Sequence, residues 1–223
     1  MTRNSLAVAS ALAVAAMLIA AFLVGSMLPA GAELPTHWGV SGEADGFSGK
    51  WPALLFPVAL AVGMSALFYF LPSLEPRGDG LKRSQGLYAA VWMSMLLMAG
   101  VIELSVIAVA LHWPLHAFHL IAAGLGVMFI MIGNQLGKSR SMYLIGIRTP
   151  WTLASEEVWV KTHRLGGKLM VLGGVLVVIT AALPVPSGLL AASVLTAGLL
   201  AAGVPIAYSY LLWRREQGGQ ASG

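Results

Sequence analysis

The chain has no cysteine in 223 residues, which excludes a disulfide framework, thiolate metal sites, iron–sulfur clusters and a cysteine nucleophile. Charge is nearly as scarce. Thirteen Lys and Arg with nine Asp and Glu amount to 10% of the chain, against about 25% in soluble domains. There is no nucleotide-binding glycine fingerprint, Walker A loop, HExxH or GxSxG, and no repeat that would build a transporter of inverted halves. What is present is apolar: 58% hydrophobic residues and a mean hydropathy of +0.82. An aqueous surface cannot hide that surplus, so a soluble domain and disorder are both excluded and the solvent is lipid.

A transmembrane helix needs about 20 mostly apolar residues. Six segments meet or approach that length: Ser5–Leu28, Pro52–Leu71, Gly86–Leu111, Ala117–Leu136, Leu169–Leu183 and Gly188–Trp213. The expected fold is an all-α polytopic bundle, since only helices satisfy every backbone group in lipid at such lengths. Gly166, Gly167 and a snorkelling Lys168 are expected to extend the short fifth span. With both termini cytoplasmic, Arg3, Arg77, Lys82, Arg83, Lys138, Arg140, Arg148, Lys161, Arg164, Lys168, Arg214 and Arg215 all lie inside, leaving Lys50 alone outside. That sorting sets the orientation. The net charge of +4 thus reports topology, and no direct nucleic-acid contact is expected. Arg3, a long apolar run and Ala30-Gly31-Ala32 resemble a signal peptide, but signal cores are about 7–15 residues, so retention as a helix is expected.

Two organisational units follow: residues 1–84, with two spans around an external glycine-rich loop at 29–51, and residues 85–223, with four spans around a cytoplasmic loop at 137–168. In the external loop, dense Gly and Asp favour tight turns, Trp38, Phe47 and Trp51 suit an aromatic belt, and His37 and Asp45 are polar anchors. The reading is divided between a binding lid and a connector seated by its aromatics. His112, His116 and His119 lie on the same side. With His37 and Asp45 they have the ligand chemistry of a zinc or copper site, yet their spacing matches no metal motif, and no metal or other cofactor is expected. Glu103 is the one ionisable residue deep inside a span, a functional candidate by position or a buried hydrogen-bond partner that fixes helix packing.

In the cytoplasmic loop, Ser155 is a good N-cap and Glu156 and Glu157 fall in the following first turn. Glu157 and Lys161 form an i,i+4 pair in the favourable order. Val158, Trp159, Thr162 and Leu165 share one side, whereas Lys161, Arg164 and Lys168 share another. This pattern predicts a short amphipathic helix near 155–165 lying at the interface, with Trp159 as its anchor. Arg148-Thr149-Pro150-Trp151-Thr152 concentrates an Arg, a turn proline and a Trp, a combination suited to docking a carboxylate, a phosphate or a partner protein. Glu157 and His163, at i,i+6, lie on different faces and do not form a direct acid/base pair. Gly133 and Gly137 allow a close helix crossing.

The stretch Ile132–Leu169 resembles the central motif of the bacterial SdpI family, membrane immunity proteins against a sporulation-delay toxin peptide. The resemblance rests on Gly133-Asn134, the run Gly146–Leu153, Val158-Trp159 and Lys161-Thr162-His163-Arg164. Met142 stands where the family pattern has asparagine. The stretch Leu34–Trp51 resembles a domain of unassigned function that often precedes that motif, with Pro35, His37, Gly42, Asp45 and Lys50 on its pattern. The resemblance implies a non-enzymatic immunity or signalling protein of the bacterial inner membrane. It implies a secreted toxin peptide as partner outside and a repressor protein held at the cytoplasmic face, the latter by the loop that carries Asn134, Arg148 and Arg164. An oligomer is compatible with this reading. The alternative is a membrane enzyme or small transporter working through the external His/Asp cluster or Glu103.

Overall fold

A computed structural model describes residues 2–75 and 78–220; Arg77, counted among the cytoplasmic cations, lies outside them. Six helices are long and apolar enough to cross a membrane: α1 (Arg3–Met27), α2 (Lys50–Leu74), α4 (Gln85–Ala110), α5 (Ala117–Leu136), α7 (Glu156–Ala182) and α8 (Ser187–Gln220). Two short helices, α3 (Gly78–Arg83) and α6 (Pro150–Ala154), lie between them. The loops gather at two ends. At one, Arg3 lies 4.7 Å over the Tyr69 ring and the Arg140 amide donates to Ser84 Oγ at 2.9 Å. At that same end Ser155 donates to Glu216 at 3.1 Å. This basic end carries nearly all the cations. The opposite end carries the 28–50 segment and the His112–His119 turn.

The 28–50 segment is a β-hairpin, where turns alone were expected. β1 (Glu33–Trp38) pairs antiparallel with β2 (Ala44–Gly49), with irregular register around His37. Leu34 and Pro35 are buried, and Gly42, at φ +83°, turns the tip against Ser187 and Phe118. Backbone groups at a membrane surface still need partners, and strand pairing supplies them where glycines would not hold a helix.

α4 is the central helix: 56% of its apolar window is buried, against 22–28% in the other spans. Towards the basic end it packs Trp92 onto Phe68 of α2. Trp92 Nε1 donates to Ser10 Oγ of α1 at 2.9 Å, and Tyr88 Oη donates to the Phe68 carbonyl at 2.6 Å. Both donors are thereby satisfied away from water. α5 and α7 meet backbone to backbone at two glycine pairs, Gly126 with Gly174 and Gly133 with Gly167. A Cβ on Gly126 would stand 2.8 Å from the Gly174 carbonyl oxygen, and one on Gly133 would stand 2.8 Å from that of Gly167. Small residues let helices approach in lipid, where no hydrophobic drive joins them.

A second element differs from the sequence expectation. Residues 156–165 are not a separate interfacial helix but the first turns of α7, continuous with the fifth span. Ser155 caps that helix, its Oγ accepting the Val158 amide at 3.2 Å. Gly166 and Gly167 do not break it, because both are buried and Gly167 is held against α5. Trp159 is fully buried, so it anchors the core rather than the lipid surface.

Candidate functional site

Residues 137–149, between α5 and α6, form no regular structure, yet six of their amides donate to side chains. The Arg140 amide donates to Ser84 Oγ and that of Ser141 to Glu156 Oε2 at 3.3 Å. Glu75, the C-cap of α2, accepts the amides of Tyr143 at 3.1 Å and Leu144 at 3.0 Å. The Ile147 amide donates to His163 Nε2 at 2.9 Å, and that of Thr149 to Thr152 Oγ1 at 2.9 Å. Glu75 is buried and charge-assisted bonds are roughly twice as strong as neutral ones, so Glu75 ties the end of α2 to this loop.

His163 is the pivot. It is fully buried and stacked on Trp159, ring centroids 3.9 Å apart. A backbone amide only donates, so Nε2 carries a lone pair and Nδ1 carries the proton, which it donates to the Trp159 carbonyl at 2.8 Å. That is the neutral Nδ1–H tautomer, fixed by its two partners. Gly146 covers the pair from the loop side. Its φ is +123°, and a Cβ there would stand 2.7 Å from His163 Nε2 and 2.8 Å from the Trp159 ring. Trp159 Nε1 donates in turn to Ser139 Oγ at 3.2 Å. Met142 is fully buried with the core around Trp92 and Trp159; at this position the loop uses apolar packing.

The loop then enters α6 through a capping box at Thr149 and Thr152. Thr152 is fully buried, and Pro150 stands at the start of the helix, where its missing amide costs nothing. Trp151 donates to Ser209 of α8 and joins Tyr210 and Trp213 in an aromatic cluster, with centroids 5.3 and 6.3 Å away. Arg148 is exposed and donates to the Tyr143 carbonyl at 2.7 Å. Glu157 pairs with Lys161 on the exposed face of α7 and does not touch His163. Asn134 and Arg164 are exposed on α5 and α7. The structure therefore splits the sequence-predicted set. Thr152, Trp159 and His163 hold the loop, while Arg148 is exposed on it and Glu157, Lys161 and Arg164 are exposed on α7. Ser139, Glu75 and Ser209 were missed by sequence reasoning. Of these, Glu75 had a signal, as an acid directly at the end of an apolar span.

At the opposite end, His37 Nδ1 and Asp45 Oδ1 are hydrogen-bonded across the hairpin, both side chains more than half exposed. Lys50 is structural: it is buried and donates to the Gly25 and Leu28 carbonyls at 2.7 and 2.6 Å, closing the C-terminus of α1. His116 and His119 lie ring to ring at 5.5 Å, and His112 is exposed at φ +54°. No group of three or more metal-ligating side chains forms among the described residues, so the histidines and Asp45 stand as two separate pairs and a single residue. Glu103 is buried on α4, and its Oε1 has no hydrogen-bond partner among the described residues.

Comparison with known proteins falls on these two regions. Residues 138–209 match the SdpI/YfhL protein family, and residues 11–62 match a domain of unknown function, DUF1648. Immunity protein SdpI of Bacillus subtilis (strain 168) is 26% identical over 147 residues, 66% of this chain and 68% of its own. No solved structure matches the chain. The protein is a multi-pass protein of the bacterial inner membrane in which a segment that matches DUF1648, formed by most of α1, the hairpin and the first half of α2, precedes one that matches the SdpI/YfhL family, formed by the basic loop, α6, α7 and most of α8.

Proposed function

We propose that this chain is a non-enzymatic membrane immunity protein that protects its cell against an antimicrobial peptide and reports the encounter inward. The observation that carries the reading is the coincidence of the SdpI-family segment with the loop clamped over His163. Such a loop is a rigid, pre-organised surface at small entropic cost to a partner. Its exposed Arg148, with Glu157, Lys161 and Arg164 beside it, offers charged groups to a protein. The positive-inside rule puts this surface in the cytoplasm and the hairpin outside, where a secreted peptide arrives. His37, Asp45 and the His116–His119 turn are the outer residues such a peptide would meet.

The test is protection. Expression in Bacillus subtilis deleted for its own SdpI should restore survival when the cells produce their toxic peptide. Arg148→Ala should reach the membrane at normal levels and lose the protection or the inward signal. Cells that die at the rate of the deletion strain, with the wild-type chain present in the membrane, contradict the reading.

A further inference from the structure

At the basic end, α5 and α7 leave a groove of about 460 Å³ lined by Asn134, Lys138, Arg164, Lys168, Val171 and Leu172 over the backbone of Gly133, Gly137 and Gly167. The glycines are what make it. A Cβ on Gly137 would stand 3.1 Å from the Arg164 Cα, and one on Gly167 would stand 3.2 Å from the Gly137 amide nitrogen. The two backbones therefore touch, and the side chains on either side stand up as walls.

Three of those walls are cations. Among the described residues, no acidic side chain pairs with Lys138, Arg164 or Lys168. Lys161, by contrast, has Glu157, and Arg140 has Glu156. Three like charges sharing one groove repel one another, and an anion placed among them relieves that repulsion. Asn134 adds an amide donor. One turn further along α7 the surface changes character. Leu172 is 67% exposed, followed by exposed Val175, Leu176 and Ile179. Arg164, Lys168 and Leu172 follow one another at i,i+4 spacing, so the charged floor runs directly into an apolar track on one helix face.

We propose that this groove binds an anionic phospholipid, its phosphate held by Lys138, Arg164 and Lys168 and an acyl chain lying along Leu172–Ile179. Basic pockets between transmembrane helices at the membrane surface recognise such headgroups. A free phosphate shares the headgroup chemistry but would leave the apolar track unused. This groove adjoins the loop over His163, sharing Lys138 with it and Arg164 with the charged surface beside it, but the lipid assignment does not depend on the immunity reading.

The test uses the full chain purified in a neutral detergent, with bound lipid read by native mass spectrometry and stability by thermal unfolding. Phosphatidylglycerol should remain bound and raise Tm, while phosphatidylcholine should do neither. Lys138→Gln with Lys168→Gln should weaken phosphatidylglycerol binding by about ten-fold, on the order of 1.4 kcal/mol. Arg214→Gln with Arg215→Gln, which removes the same charge elsewhere, should not. Equal binding of the two lipids to the wild-type chain overturns the proposal, with no variant needed. So does unchanged phosphatidylglycerol binding in the Lys138/Lys168 variant. Stabilisation by inorganic phosphate alone, equal to that by the lipid, overturns the lipid assignment.

Discussion

The hairpin and the basic loop invert the usual relation between regularity and order. The hairpin has paired strands, yet its polar pair, His37 and Asp45, is exposed, and the one hydrogen bond between the two side chains stays within the hairpin. The basic loop has no repeating hydrogen bonds, yet Ser139 and Met142 are buried at 1% and 0% exposure, and six of its amides are matched to side-chain acceptors at the end of α2, in α6, in α7 and in the residue before α4. The difference teaches where specificity is stored. A ladder satisfies a backbone locally with little demand on side chains; a bonded loop requires particular residues at a distance. The SdpI-family match includes this second region.

The comparison can be broken most sharply at Gly146. Gly146→Ala puts a Cβ against His163 and Trp159 at a left-handed φ. It should destabilise the chain by about 2–5 kcal/mol, read as a lowered Tm in detergent. Next comes Glu75→Ala, which strips the Tyr143 and Leu144 amides of their carboxylate and should cost about 2–3 kcal/mol. A double-mutant cycle with Tyr143→Pro, which removes one of those amides, should show coupling. The smallest effect is expected at the other end. His37→Ala breaks an exposed pair and should change stability by no more than about 0.5 kcal/mol, even though it alters a residue offered to an external peptide. If His37→Ala lowered Tm as far as Gly146→Ala, the contrast between the two regions would fail.

Much of the architecture was legible in the sequence because lipid simplifies the code. Six apolar runs became six long helices, with ends moved by a turn or more where charge interrupts hydropathy but not helical geometry. α7 is the instructive case. A hydropathy reading starts its span near Leu169, since Lys161, Arg164 and Lys168 come before, whereas the helix begins at Glu156. The face Val158–Trp159–Thr162 was correctly grouped, but one apolar face serves lipid and core equally well, and sequence periodicity does not tell them apart. Burial against the loop decided it for Trp159. His163 and Arg148 were singled out beforehand, but their division into builder and presenter was not, because it depends on which side of α7 the loop covers. Glu75 escaped for a similar reason. Its partners are 68 and 69 residues away, and contacts at that range leave no periodic trace.

The most direct measurement of the central claim is amide hydrogen exchange across the two ends of the detergent-solubilised chain. The amides of Tyr143, Leu144 and Ile147 have acceptors in Glu75 and His163 and should exchange orders of magnitude more slowly than an unstructured peptide. Those of Val40 and Ser41, in the hairpin turn, have no backbone hydrogen-bond partner among the described residues and should exchange quickly. Exchange at Leu144 and Ile147 as fast as at Val40 would mean that the loop is not held, and the account of it as a built surface would be wrong.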